Sequence, residues 1–132
     1  MTSAPPSTRA RGLVIEQLVA ERIDRAGLVV IARNVSIAGA EIDIVATTQA
    51  AKEDLVVFVE VRSRADDRLG HPLETIDATK RAHIIRAATS WLVRENLWEK
   101  VAVRFDVISV VGRPGDREPE IVWLKGAFEA NG

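Results

Sequence analysis

Apolar residues recur along this chain in two rhythms, and each change of rhythm marks an element. Over residues 8–26, at about 100° per residue, Gly12, Leu13, Ile15, Val19, Ala20, Ile23 and Ala26 fall in one arc, and Gln17, Glu21, Arg22, Asp24 and Arg25 fall in the other. Leu18 and Val14 lie outside the apolar arc, and Glu16 falls close to its middle. The pattern predicts an amphipathic helix, with Thr8 as its N-cap and Gly27 as its stop. Continuous or alternating apolar runs over 28–34, 40–48 and 54–63 then predict three strands, joined closely enough for an antiparallel meander. A polar stretch over 64–74, with Gly70 and Pro72, precedes a second amphipathic helix over 75–96, whose inner face carries Ile84, Ile85, Ala88 and Leu92. Strands over 101–111 and 120–128 follow, separated by a turn-rich loop. The order α-β-β-β-α-β-β predicts a single α/β domain, a mixed central sheet flanked by helices over 9–128, with tails at 1–8 and 129–132.

Three acids interrupt apolar patterns. Asp43 sits within "IDIVA", Glu60 within "VFVEVR", and Glu16 on the apolar face of the first helix. Acids are rarely tolerated where burial is expected unless they have a partner. Asp43 and Glu60 stand on consecutive strands, where cross-strand neighbours come within side-chain reach. Two carboxylates converging on one point are what Mg²⁺ takes from a protein when phosphate and water complete its shell. Side chains alternate along a strand, so Phe58, Glu60 and Arg62 share one face and Val57, Val59 and Val61 the other. A cation thus stands beside Glu60, placed to hold a phosphoryl oxygen. The same spacing also suits a cross-strand ion pair, and Glu16 equally suits a salt bridge to a residue such as Arg62. Glu41 begins its strand and is expected to be solvated.

Composition narrows the chemistry. The chain has 132 residues, 47% of them hydrophobic and 28% charged, the balance of a soluble globular domain. It contains no cysteine, which removes disulfides, thiolate metal sites and cysteine nucleophiles. No apolar run approaches the length of a membrane span, and the first residues lack the features of a signal peptide, so a cytoplasmic protein is expected. A formal net charge of −1 excludes a bulk polycation, and any contact with nucleic acid has to be local.

These residues carry a resemblance. With Glu16, "RN" at 33–34, "EID" at 41–43, "VFVEVRSR" at 57–64, "TIDATK" at 75–80 and "RFDVI" at 104–108, the chain resembles the YraN-like family of small bacterial proteins from about Arg11 to Leu124. That family looks like Holliday-junction resolvases of the PD-(D/E)XK nuclease superfamily. The resemblance implies a restriction-endonuclease-like fold and a metal site. Asp43 matches the motif's aspartate, Glu60 its second acid, Arg62 the position usually held by lysine, and Glu16 a helix glutamate beside the metal. Lys80 matches a lysine at the start of the second helix. Two glycines of the family pattern are replaced, by Ile15 and Ala40. Arginine cannot give up its proton, so Arg62 is suited to stabilising charge and not to acting as a base.

The implied activity is Mg²⁺-dependent phosphodiester cleavage on DNA, with Mn²⁺ as a substitute. Asp43, Glu60 and the Val61 carbonyl would hold the metal, Glu16 would orient its water, and branched or repair intermediates would be the substrates. The alternative is a nucleic-acid-binding or adaptor domain that keeps the fold without catalysis, its acids closed into an ion network by Arg62. Arg64 and Arg68, directly after the Glu-x-Arg strand, are candidates for phosphate contacts, with Lys80 and Arg81 behind them. On the helical wheel, Lys80, Arg86, Arg94 and His83 fall on the outer, solvated face, and Arg81 falls within the apolar arc. His71 and His83 have no metal-ligand spacing, and Trp91, Trp98 and Trp123 are expected in or near the core. A homodimer is implied by analogy with resolvases alone.

Overall fold

The structure, a computed structural model, describes residues 8–48, 54–64, 76–112 and 119–130. Its elements are helix α1 (Thr8–Arg25), strands β1 (Leu28–Ile37), β2 (Ala40–Thr48) and β3 (Leu55–Arg64), helix α2 (Ala78–Arg94), and strands β4 (Ala102–Val111) and β5 (Glu120–Phe128). The five strands form one sheet in the order β1-β2-β3-β4-β5. Neighbours are antiparallel except β3 and β4, which run parallel from Leu55↔Ala102 to Arg64↔Val111. Parallel strands need a crossover, and α2 lies in that connection.

The sheet divides the apolar residues into two cores. Val56 and Phe58 of β3 face α2, packing with Ile84, Ala88, Trp91 and Leu92. Across this face Phe58 stacks on Phe105 at 5.6 Å and Phe105 on Phe128 at 5.0 Å, with Trp91 edge-on to Phe58 at 5.8 Å between ring centroids. Val57 and Val59 face the other way, with Ile44, Ile108 and Val110, against Val19 and Ile23 of α1.

The buried stripe of α1 is narrower than its apolar arc. Ile15, Val19 and Ile23, four residues apart, pack on the sheet, while Leu13 (57% exposed) and Val14 (54%) stand in solvent, as do Gly12 and Ala26. Helix α2 starts three residues later than the expected 75. Its N-cap is Asp77, which accepts a hydrogen bond from the Lys80 N–H at 2.8 Å. Trp91 is buried and Trp123 partly buried, whereas Trp98 is 47% exposed, beyond the last turn of α2.

The β1–β2 hairpin turns on Ala38 and Gly39, whose φ angles of 54° and 74° make a type I′ turn. Arg86 Nε donates to the Ala38 carbonyl at 3.1 Å, so this residue clamps the hairpin instead of standing free on the outer face of α2. Between β4 and β5 the register shifts at Asp106, which is 1% exposed. Its Oδ1 accepts from Arg104 Nε and the Gly126 N–H, and its Oδ2 from Arg104 Nη2 and Trp123 Nε1, each at 2.9 Å. This saturated carboxylate staples the two strands.

Candidate active site

The paired register between β2 and β3 runs from Thr47↔Val56 to Ile44↔Val59 and ends there. One step further, Asp43 comes opposite Glu60. β3 stays paired to β4 along its whole length, so β2 is the strand that parts. The Asp43 carboxylate closes the opening, its Oδ2 accepting from the Val61 N–H at 2.8 Å.

Alternation along β3 puts Glu60 and Arg62 on the α2 face and Val61 on the α1 face, as the strand periodicity predicts. Glu60 is 6% exposed. Its Oε1 lies 3.5 Å from Arg62 Nη2 and 3.5 Å from Lys80 Nζ. Burial, then the charge of Asp43, pushes the Glu60 carboxyl up from 4.5 to about 7 against the lowering by Lys80 and Arg62, and a hydrogen bond between the two carboxyl groups adds to the rise. Two cations therefore do not offset desolvation and a second acid at close range.

Lys80 differs from its expected place on a solvated face. It sits in the first turn of α2, over the end of β3, and its long apolar stem carries the ammonium down to Glu60. Arg81 does not join it. Its Nε donates to the Ile76 carbonyl at 3.1 Å, and its guanidinium lies 6.0 Å from the centre of the Phe128 ring. Arg68 and His71 lie outside the described residues, as does the side chain of Arg64. His83 is exposed on α2.

Glu16 is exposed and lies on the opposite face of the sheet from Glu60, which rules out its pairing with Arg62. There it lines a cleft of about 160 Å³ with Ile15, Val19, Arg33, Asn34, Asp43, Ile44 and Val61. Asp43 thus belongs to two neighbourhoods, touching the cleft on one side and the Glu60 cluster on the other. Among the described residues no group of three or more acids or histidines is gathered closely enough to hold a metal ion, so Glu16 stands off from the Asp43–Glu60 pair.

Three features of the site were not legible as such. The Lys80–Glu60 contact depends on where α2 crosses the sheet. Arg33 and Asn34 reach the cleft through a break in strand alternation. Ser109, the β4 partner of Arg62 in register, is fully buried, and neither its Oγ nor Arg62 Nε has a hydrogen-bond partner among the described residues.

Taken together, these features define a single α/β domain of restriction-endonuclease-like architecture, with two acids and two cations gathered where β2 and β3 part. Residues 15–110 match the model of the uncharacterised protein family UPF0102, and the chain belongs to that family. A UPF0102 protein of Pseudomonas aeruginosa is 38% identical over 124 residues, covering 94% of this chain and 96% of its own. One from Chromohalobacter salexigens is 37% identical over 130 residues, covering 98% and 99%.

Proposed function

We propose that this chain is a Mg²⁺-dependent phosphodiesterase acting on DNA, built on the PD-(D/E)XK plan, with Mn²⁺ as an alternative ion. The observation that supports it most is the Asp43–Glu60 pair. Burial and the neighbouring Asp43, to which it is hydrogen-bonded, raise the Glu60 carboxyl to about 7, and the two cations beside it do not offset that rise. A hard divalent cation suits this donor set, since it needs oxygen ligands and relieves the repulsion between them. Asp43, Glu60 and the Val61 carbonyl would hold it, and Glu16, across the cleft, would orient a water. When bound, the ion lowers the pKa of a water and neutralises phosphate charge.

The chain's own cations complete the site. Arg62 stays charged and stabilises charge developing on the phosphate. Lys80 approaches the same carboxylate from α2 and adds a second positive charge beside it. Arg64, the last residue of β3, and Arg68 after it in the sequence are the candidates for contacts to neighbouring phosphates, holding the strand without reading its sequence. The net charge of −1 makes such local contacts the basis of any affinity.

The test is a cleavage assay on single-stranded, duplex, flap and four-way DNA with Mg²⁺ or Mn²⁺. Metal-dependent cleavage that falls to background in Asp43→Asn and drops roughly 100-fold or more in Lys80→Ala or Arg62→Ala is the expected result. Cleavage that survives Asp43→Asn or ignores metal removes the proposal. The competing reading, a nucleic-acid-binding domain without catalysis, draws on the two cations already seated on Glu60. It predicts DNA binding with no effect of divalent metal on melting.

A further inference from the structure

Regular strands send residues two apart to the same face. β1 and β2 break this rule together. Arg33 pairs with Ile44 on the α1 face, yet Val35 pairs with Ile42 in the core under α2. Between them lie Asn34, with a left-handed φ of 50°, and Asp43, and neither belongs to the paired register. The step places Arg33, Asn34 and Asp43 on one cleft, whereas regular alternation would send Asn34 to the opposite face.

A left-handed residue inside a strand is retained only where its surroundings or its role require it. Glycine meets the backbone requirement most easily, and asparagine is the side chain that best tolerates it. Asparagine brings a carboxamide as well. Beside it the Arg33 guanidinium is exposed and has no ion-pair partner among the described residues. The cleft, at about 160 Å³, has room for a phosphate group. Two donors of this kind side by side suit phosphate oxygens, which accept from both.

We infer that Arg33 and Asn34 form a second phosphate subsite, on the α1 face, for the phosphodiester next to the one held at Asp43 and Glu60. The inference rests on the proposed function and adds to it a strand that crosses the end of the sheet, gripped by Arg62 and Lys80 on one face and by Arg33 and Asn34 on the other.

Substitution at Asn34 separates backbone from chemistry. Asn34→Gly keeps the left-handed conformation without strain, so it should melt with the parent protein or above it, and Asn34→Ala below it. Both should bind a short labelled single-stranded oligonucleotide, in metal-free buffer, roughly five-fold more weakly than the parent. Arg33→Ala should weaken binding roughly tenfold and lower the salt slope by about one. An Asn34→Gly protein that binds as tightly as the parent overturns the inference and leaves the proposed function standing. A parent that binds no oligonucleotide counts against the proposed function instead. Inorganic phosphate then decides, read by NMR on the Arg33 Nε–H and Asn34 carboxamide signals. Saturable shifts uphold a phosphate subsite for another phosphorylated ligand, and unshifted signals overturn it.

Discussion

Glu60 binds its proton more tightly in the folded chain than in the unfolded one, with a carboxyl raised from 4.5 to about 7 by burial and by Asp43. Between those values the folded state holds more protons, so metal-free stability falls as pH rises through this window, opposite to the usual behaviour of a paired carboxylate. The contribution is complete below 4.5, is lost above 7, and amounts to roughly 3 kcal/mol. Urea melts of the metal-free protein at pH 5 and pH 8 should show it, and Glu60→Gln should remove most of it. A Glu60→Gln protein that loses as much stability as the parent between those pH values would rule Glu60 out as the cause. Ser109 makes a second case at this scale. Its buried Oγ has no partner among the described residues, so Ser109→Ala should melt at or above the parent temperature, because no bond is lost and an unsatisfied polar atom is removed. A clear drop in melting temperature would show that the hydroxyl holds an internal water. Asp43 and Glu60 were legible because an acid inside an apolar strand is conspicuous. Lys80 was a candidate for phosphate contact, but its reach to Glu60 was not legible, since a helical wheel records where a side chain leaves the helix and not where a long one ends.

At the level of elements, the strands were legible where alternation is regular. The expected strand over 28–34 continues to Ile37, and the break at Asn34 looks like an ending in sequence because a polar residue interrupts the apolar run. The strand expected at 120–128 has those limits in the structure. For α1, the arc could not reveal that the packing on the sheet runs through Ile15, Val19 and Ile23 while Leu13, within the same arc, stands in solvent. The hairpin between β1 and β2 carries the clearest prediction at this scale. Ala38 occupies a left-handed position, with φ of 54°, that alanine tolerates poorly, directly before Gly39. Asn-Gly is the preferred pair for this turn, so Ala38→Asn should stabilise the protein by about 1 kcal/mol. The Arg86 bond is to the backbone carbonyl and survives the change. A calorimetric melting temperature higher by roughly 3–5 °C is the expected reading. An unchanged or lower value would mean that Ala38 is relaxed or that the asparagine disturbs Arg86.

For the whole molecule, the decisive quantity is the response of the fold to a divalent ion. Asp43 closes the gap between β2 and β3 and touches both faces of the sheet, so an ion held there ties the two halves together. Asp43→Asn keeps an oxygen to accept the Val61 N–H but removes the charge that disfavours ionised Glu60. At pH 8, without metal, this variant should be at least as stable as the parent, because like-charge repulsion is relieved. A closed ion network predicts the reverse sign, yet with a smaller cost than a buried pair would carry. Arg62 and Lys80 keep 32% and 39% of their side chains exposed, so neither would be stranded out of reach of water. The response of the parent to Mg²⁺ therefore discriminates better than the stability of the variant. At about a hundred times its dissociation constant, an ion that binds only the folded state contributes about 2.7 kcal/mol, or roughly 10 °C in melting temperature for a chain of this size. The parent should show a concentration-dependent rise of that order at pH 8 and a smaller one at pH 5, where Glu60 is protonated and must release its proton to bind. Asp43→Asn should show neither. A parent whose melting temperature ignores Mg²⁺ and Mn²⁺ at both pH values would leave the acids and cations as a structural ion network.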